Sequence, residues 1–394
     1  MKILFVSTEI WSEKNPEGIV ARKIVIGLLE NNCHVDILST GAVNINGITR
    51  EFIVKDKSNE LFSKVQKKIV GVEKRNFVNI VKDNYDDYNF ATYDLIITRS
   101  EPFFLHEIGF FVKQMYPKVK WVASFGDPVF LNPYNSHSII KKNIAKKLER
   151  KYWNFADIVT HTNNSVIEEY VKCGFDTGKA TVLENPFLFV GEKKSLNVSY
   201  TSNDIIKLAY IGSLYGRRSI RPVIEFLSKV DFKFELLIIG GVRNTYYENR
   251  FGSLTKLLMK RDIKKVMKPI NDHNLGDKVK LMPFMNKVDL DQFITDNVDV
   301  LINIDAAIGD KNIFLSSKVV EYLQYQKPIL NFSIEGASVD FLRSVGVSYF
   351  VNLRSNKQIE FIQNMIPNLI PTENIEYFTA KEVCKRLLDK IYSI

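Results

Sequence analysis

Along the chain, short runs that are apolar at nearly every position alternate with stretches of helical periodicity. The first run, KILFVST, leads into a helical stretch near Ile19 to Asn31 and then into HVDILST. DLIITRS, KWVASFG, DIVTHT and ATVLEN follow, most with helical stretches between them. A strand that is apolar on both sides must be covered on both faces, as in a parallel sheet flanked by helices. The alternation predicts a doubly wound α/β architecture.

The pattern then breaks. Residues 189–204 are polar, rich in serine and asparagine, and without periodicity, which predicts a linker after a first domain at 1–188. It resumes with IKLAYIGS, a helix from about Arg221 to Val230, FELLIIGG, KVKLMPF, VDVLINI and KPILNF. These make a second α/β domain at 205–375. Within 376–394, Val383, Leu387, Leu388 and Ile391 recur at helical spacing and predict a closing helix that crosses back to the first domain. Two such domains facing each other would enclose a cleft, hinged near 187–204, so loops directly after strands carry the most weight.

Composition narrows the classes. The 394 residues are 45% hydrophobic and 25% charged, the balance of a globular protein. Cys33, Cys173 and Cys384 are too few and scattered for a disulfide framework or a structural zinc site, which fits a reducing cytoplasm. MKILFVSTEIW is too short in its apolar run for a secretion signal, and no run is long enough to span a bilayer. The net charge of +9 favours anionic partners or reflects a lysine- and asparagine-rich composition. Basic residues are not interleaved with aromatics on a strand platform, which argues against nucleic acid.

Four stretches can carry chemistry. In STEIWSEKNPEGIVARK, Gly18 permits close backbone approach at a helix start whose amides suit an anion. In WVASFGDPVFLNP, Asp127 directly follows a strand and is held by Gly126 and Pro128, so it can take or position a hydroxyl proton, or only cap its own turn. In YIGSLYGRRSIRP, Gly212 closes a strand, and Arg217, Arg218 and Arg221 follow as a diphosphate candidate. In KNIFLSSKVVEYLQYQKPILNF, Ser316 or Ser317 can cap a helix that ends before Pro328. The helical period sets Val319, Val320 and Leu323 toward the sheet and Lys318, Glu321, Tyr322 and Tyr325 opposite. The helix start and Lys318 suit a phosphate, and Glu321 could accept two ribose hydroxyl protons.

With SSKVVEYLQYQKPIL in its second domain, the chain resembles the GT-B glycosyltransferases, most closely bacterial glycosyltransferase family 4. EGIVARK, GDP, LENP and YIGSLYGRRS match further parts of that pattern. The resemblance implies a GT-B fold and a metal-independent hexosyltransferase that retains anomeric configuration, with no cofactor. It implies a nucleoside diphosphate sugar donor and a saccharide or lipid-linked acceptor in surface polysaccharide synthesis. Glu321 would hold the ribose. Gly212, Ser213, Arg217, Arg218, Ser316, Ser317 and Lys318 would hold the diphosphate and sugar. Asp127, Gly18 and Arg22 would serve the acceptor or reaction side. Where the family pattern has a first glutamate this chain has Ile313, with Asp305 and Asp310 as candidates to replace it. Gly126-Asp127 stands where many members have His-Asp, and Ser213 stands at the first basic position of the second-domain loop.

SIIKKNIAKKLERKYWNFAD sets Ile140, Ile144, Leu148, Tyr152 and Phe155 on one stripe, with Lys141, Lys142, Lys146, Lys147, Arg150 and Lys151 around it. Such a helix docks on anionic lipid or packs on its own sheet with solvated lysines, and residues 64–75 repeat the theme. The expected location is cytoplasmic, with peripheral attachment to the inner membrane face as the extension. Two other readings remain: a GT-B nucleotide-sugar epimerase, and a non-catalytic protein that binds sugar nucleotide or lipid.

Overall fold

In the computed structural model, residues 1–13, 15–55, 75–132, 139–191, 204–212, 214, 218–240, 263–307, 309–354 and 369–394 are described. The chain forms two units, one of Met1–Phe189 with Glu376–Ile394 and the other of Val190–Ile375.

The first unit is built on a seven-stranded sheet. Its strands are β1 (Lys2–Val6), β2 (His34–Ser39), β3 (Arg50–Ile53), β4 (Leu95–Arg99), β5 (Lys120–Ser124), β6 (Ile158–His161) and β7 (Ala180–Val182). They pair in parallel in the order β3-β2-β1-β4-β5-β6-β7. Both faces are covered, and β1 shows how. Ile3 and Phe5 pack with Ile24 and Leu28 of helix Pro16–Glu30 and with Val383 and Leu387 of helix Ala380–Tyr392. Leu4 and Val6 point the other way, into Phe77, Val81, Ile108 and Val112. Gly27 lets the two helices of the first face touch, because a Cβ there would lie 2.2 Å from the Ala380 carbonyl oxygen.

The second unit holds β8 (Ile206–Ile211), β9 (Phe234–Ile239), β10 (Val279–Met282), β11 (Val300–Ile304), β12 (Ile329–Ser333) and β13 (Val351–Asn352). They are parallel in the order β10-β9-β8-β11-β12-β13. Leu208, Tyr210, Leu236, Ile302 and Phe332 form one core with Ile224 and Leu227 of helix Arg221–Leu227.

Each sheet reverses its winding once, between β1 and β4 and between β8 and β11. The connections there leave in opposite directions and open a crevice at the carboxyl ends of the strands. The candidate residues must be sought at these two points.

Three expectations change. The helix expected to run up to Pro328 is Ser317–Tyr322, followed by a single tight turn at Leu323–Tyr325, and the left-handed φ of 50° at Gln326 ends it. Ser316 occupies the capping position, yet its hydroxyl makes no capping bond. Tyr322 and Tyr325 are buried instead of facing away from the core, with the Tyr322 hydroxyl donating to the Ile302 carbonyl at 3.3 Å. Tyr322 lies three positions after Val319, so it shares the inward stripe.

The basic helix spans Ile139–Phe155. Its apolar stripe is not uniformly covered: Tyr152 is buried and Leu148 half-buried, whereas Ile140, Ile144 and Phe155 are exposed, as is the neighbouring Ile139. Of the second basic stretch, residues 64–74 lie outside the described residues. Among the described residues no helix is long and apolar enough to cross a membrane.

Candidate functional site

In the second unit, the end of β8 carries Gly212 at φ +104°, a backbone region that a side chain rarely adopts. The Lys318 ammonium lies against it, and a Cβ at Gly212 would come within 2.4 Å of Nζ. Lys318 Nζ sits 4.8 Å from the Tyr210 ring centroid and 3.4 Å from its hydroxyl. Burial, with the Arg218 guanidinium adding to it, pushes the Lys318 ammonium down to about 7, and Asp305 and Glu321 oppose that shift. Lys318 is therefore a cation held at the edge of losing its proton.

Asp305 follows β11 and is buried, with Asn303 Nδ2 donating to it at 3.3 Å and Ser333 Oγ at 3.2 Å. Burial raises its pKa, while the Ser338 hydroxyl and Arg218 lower it. Ser338 Oγ also accepts the Ser316 amide at 3.3 Å, which ties the start of the short helix to this group. Of the two aspartates considered for the position of Ile313, Asp305 thus belongs to the Gly212–Lys318 group. Asp310 is exposed and faces Arg354 at 3.4 Å. Ser213 and Arg217 lie outside the described residues.

Glu321 lies one turn beyond Lys318, partly exposed and 3.3 Å from Lys287 Nζ. Lys287 also pairs with Asp291 and donates to the Tyr325 hydroxyl at 3.3 Å. The switch point of this sheet therefore presents a glycine turn, two cations, a buried acid and an outer carboxylate. Such a set can neutralise a diphosphate and accept hydroxyl protons.

In the first unit, Asn15 caps helix Pro16–Glu30 by accepting the Glu17 amide at 3.0 Å, and its own amide donates to Glu9 Oε2 at 2.9 Å. Gly18 is required by contact and not by φ. A Cβ there would lie 2.2 Å from the Glu9 carbonyl oxygen and 2.5 Å from that of Ser12. Arg22 is turned to the loop after β2, donating to the Asn44 carbonyl at 2.7 Å and lying 3.7 Å from Glu13.

The sequence did not single out Glu17 and Arg99. Arg99 closes β4, is 2% exposed, and lies 3.5 Å from Glu17. It donates to Ser124 Oγ at 3.1 Å and to Asn185 Oδ1 at 3.3 Å. Burial raises the Glu17 pKa, with Arg99 opposing and Asp127 adding to the rise. Gly126 backs onto this carboxylate, since a Cβ there would lie 3.1 Å from Glu17 Oε1. Asp127 itself is exposed, beside the pair. The one available signal was an arginine ending the otherwise apolar run DLIITR, which a buried strand admits only with an anionic partner.

No family model and no curated protein matches the sequence. Solved structures do match. HepE of Anabaena, in complex with UDP and glucose, superimposes with a TM-score of 0.66 at 14% identity over the full length of both chains. The lipopolysaccharide outer core galactosyltransferase WaaB gives 0.59 at 14%, covering 100% of this chain and 99% of its own. WaaG, a glycosyltransferase involved in lipopolysaccharide biosynthesis, gives 0.53 at 11%, covering 98% and 95%. At these identities the likeness establishes the fold, which is GT-B.

Proposed function

We propose that the chain is a glycosyltransferase that moves a sugar from a nucleoside diphosphate donor to a saccharide or lipid-linked acceptor in surface polysaccharide synthesis. The observation that carries this reading is the gathering of Gly212, Lys318, Arg218 and Asp305 at the switch point of the second sheet, with Glu321 one helical turn away. HepE, of the same fold, was solved with UDP and with UDP-glucose. Lys318 and Arg218 hold the diphosphate, Glu321 the ribose, and Asp305 the sugar in place of the glutamate absent at Ile313. Asp127 and the Gly18 loop serve the acceptor hydroxyl.

Incubation with a panel of nucleoside diphosphate sugars, with and without lipid-linked and saccharide acceptors, tests the reaction class. Acceptor-dependent transfer is expected. Epimer formation alone, or binding without turnover across the panel, would overturn the reading. At the level of one residue, Glu321→Ala is expected to weaken donor binding by about 1–3 kcal/mol, the worth of hydrogen bonds to a charged group. Unchanged affinity in titration calorimetry would remove Glu321 from the ribose role.

The exposed Ile139, Ile140 and Ile144, with Lys142 and Lys147 exposed on the same helix, support a peripheral membrane location at the inner face. The protein should float with vesicles rich in anionic lipid at low salt and be released as salt screens the lysines. Equal recovery with neutral vesicles would contradict an anionic docking surface.

A further inference from the structure

The loop that carries Asp127 is fixed at both ends by side chains from other elements. On the near side, the Gly126 amide donates to Ser100 Oγ at 3.3 Å. On the far side, beyond Pro128, the Val129 amide donates to Glu149 Oε1 at 2.6 Å. Glu149 is fully buried, on helix Ile139–Phe155, and the Phe130 amide also points at its carboxyl. The Tyr170 hydroxyl faces the same carboxyl, outside hydrogen-bond geometry. Aromatic side chains wall this region, with Phe130 packed on Tyr170 and Phe175.

We propose that Glu149 is the positioning residue of the Asp127 loop: its carboxyl holds the backbone on the far side of Pro128 and so sets where the exposed Asp127 carboxylate stands. The role of Asp127 in this inference rests on the function proposed above, whereas the hold on the loop does not.

A simpler role would be that of a packed side chain filling an aromatic pocket. A leucine or methionine would fill it without placing there an acid that no cation among the described residues pairs with. What the acid supplies is an acceptor for amides that follow a proline, at a point where the chain leaves β5 and has no strand partner. Burial pushes Glu149 up to about 8, so near neutrality it is a neutral acid that accepts through Oε1. Glutamine reproduces that acceptor, and leucine does not.

Amide hydrogen exchange on the full chain decides the matter. In Glu149→Leu, the Val129 and Phe130 amides are expected to exchange at least about tenfold faster, with β5 and β6 unchanged. In Glu149→Gln, protection should return to the wild-type level. Unchanged exchange at both amides in Glu149→Leu would overturn the proposal, as would acceleration spread evenly over the first unit. Turnover adds the link to chemistry. With the donor identified in the product screen, Glu149→Leu should lower kcat and leave the donor KM unchanged, and Glu149→Gln should restore kcat. Equal impairment of both variants would overturn the positioning role. Absence of transfer from every donor would instead sink the proposed function while the exchange result stands.

Discussion

Replacing Glu17 with leucine is expected to cost the first unit up to about 3–5 kcal/mol, because it takes one of two interacting carboxylates from a buried guanidinium and leaves it Asp127 alone. Arg99 is 2% exposed and cannot shed its proton. Its hydrogen bonds to Ser124 and Asn185 are to neutral oxygens, and Asp127 is the remaining carboxylate that interacts with it. The reverse change, Arg99→Met, should cost less than Glu17→Leu. The Glu17 side chain is 29% exposed, and burial already raises its pKa, so it can meet water or accept a proton. The double variant should therefore be more stable than the sum of the single losses implies, with a coupling of about 2 kcal/mol or more. All three tryptophans, Trp11, Trp121 and Trp153, lie in the first unit, so their fluorescence in urea reports this unit's unfolding. Additivity of the two losses within about 0.5 kcal/mol would mean that the pair is not energetically coupled.

The second large effect is acid instability of the same unit. His106 and His161 are fully buried, and burial pushes both down to about 3 from 6.5. Among the described residues His161 has no hydrogen-bond partner at either nitrogen, and it stacks between Phe125 and Tyr170, at centroid distances of 5.2 and 4.7 Å. His106 Nδ1 faces Thr98 Oγ1 at 2.8 Å, and that oxygen accepts the Trp121 indole at 2.9 Å. The Thr98 hydroxyl has one proton to donate and two lone pairs to accept with, so it satisfies the neutral His106 ring in either tautomer. Because the folded-state values lie below the unfolded one, the unfolded chain binds more protons between about pH 6.5 and 3. Stability is then lost as pH falls through that window, on the order of 5 kcal/mol per histidine over its full width. Glu149 acts in the other sense: its raised value makes stability fall as pH rises from about 4.5 to 8. His161→Phe separates the two. A phenylalanine satisfies the same stacking, so this variant should match the wild type near pH 7.5 and exceed it increasingly below pH 6. Parallel stability curves for the two proteins would show that His161 does not titrate on unfolding.

The strands nearest the middle of each sheet were legible because their burial on both faces writes continuous apolar runs. β3 and β13 were not, since REFI is half-exposed at a sheet edge and VN is two residues long. The candidate site in the second unit was partly legible. Gly212 is marked by its place after IKLAYI, and Lys318 by its place at a helix start. That Lys318 rests on Gly212 and Tyr210 is a contact across more than 100 residues, visible only once β8 and β11 are neighbours. The pairing of Glu17 with Arg99 and the hold of Glu149 on Val129 are equally non-local. No periodicity encodes them, because each joins a strand end, or the loop that follows one, to a helix that the topology brings alongside. The inward place of Tyr322 was legible, because it follows Val319 by three positions, the spacing of one helical face, and the assignment opposite the sheet runs against that spacing.

Binding of nucleoside diphosphates to the second unit's site is the point on which the functional reading turns. Titration calorimetry of the full chain with UDP, GDP, ADP, CDP and dTDP measures it, for the wild type and for Lys318→Met. Lys318 sits near 7 and binds an anion only when protonated. One nucleotide should therefore bind and weaken about tenfold or more between pH 7 and 9, as the ammonium loses its proton. Lys318→Met should bind that nucleotide more weakly and without this pH dependence. No binding of any of the five at millimolar concentration, or binding that Lys318→Met leaves unchanged in strength and pH profile, would contradict a diphosphate site at Gly212 and Lys318.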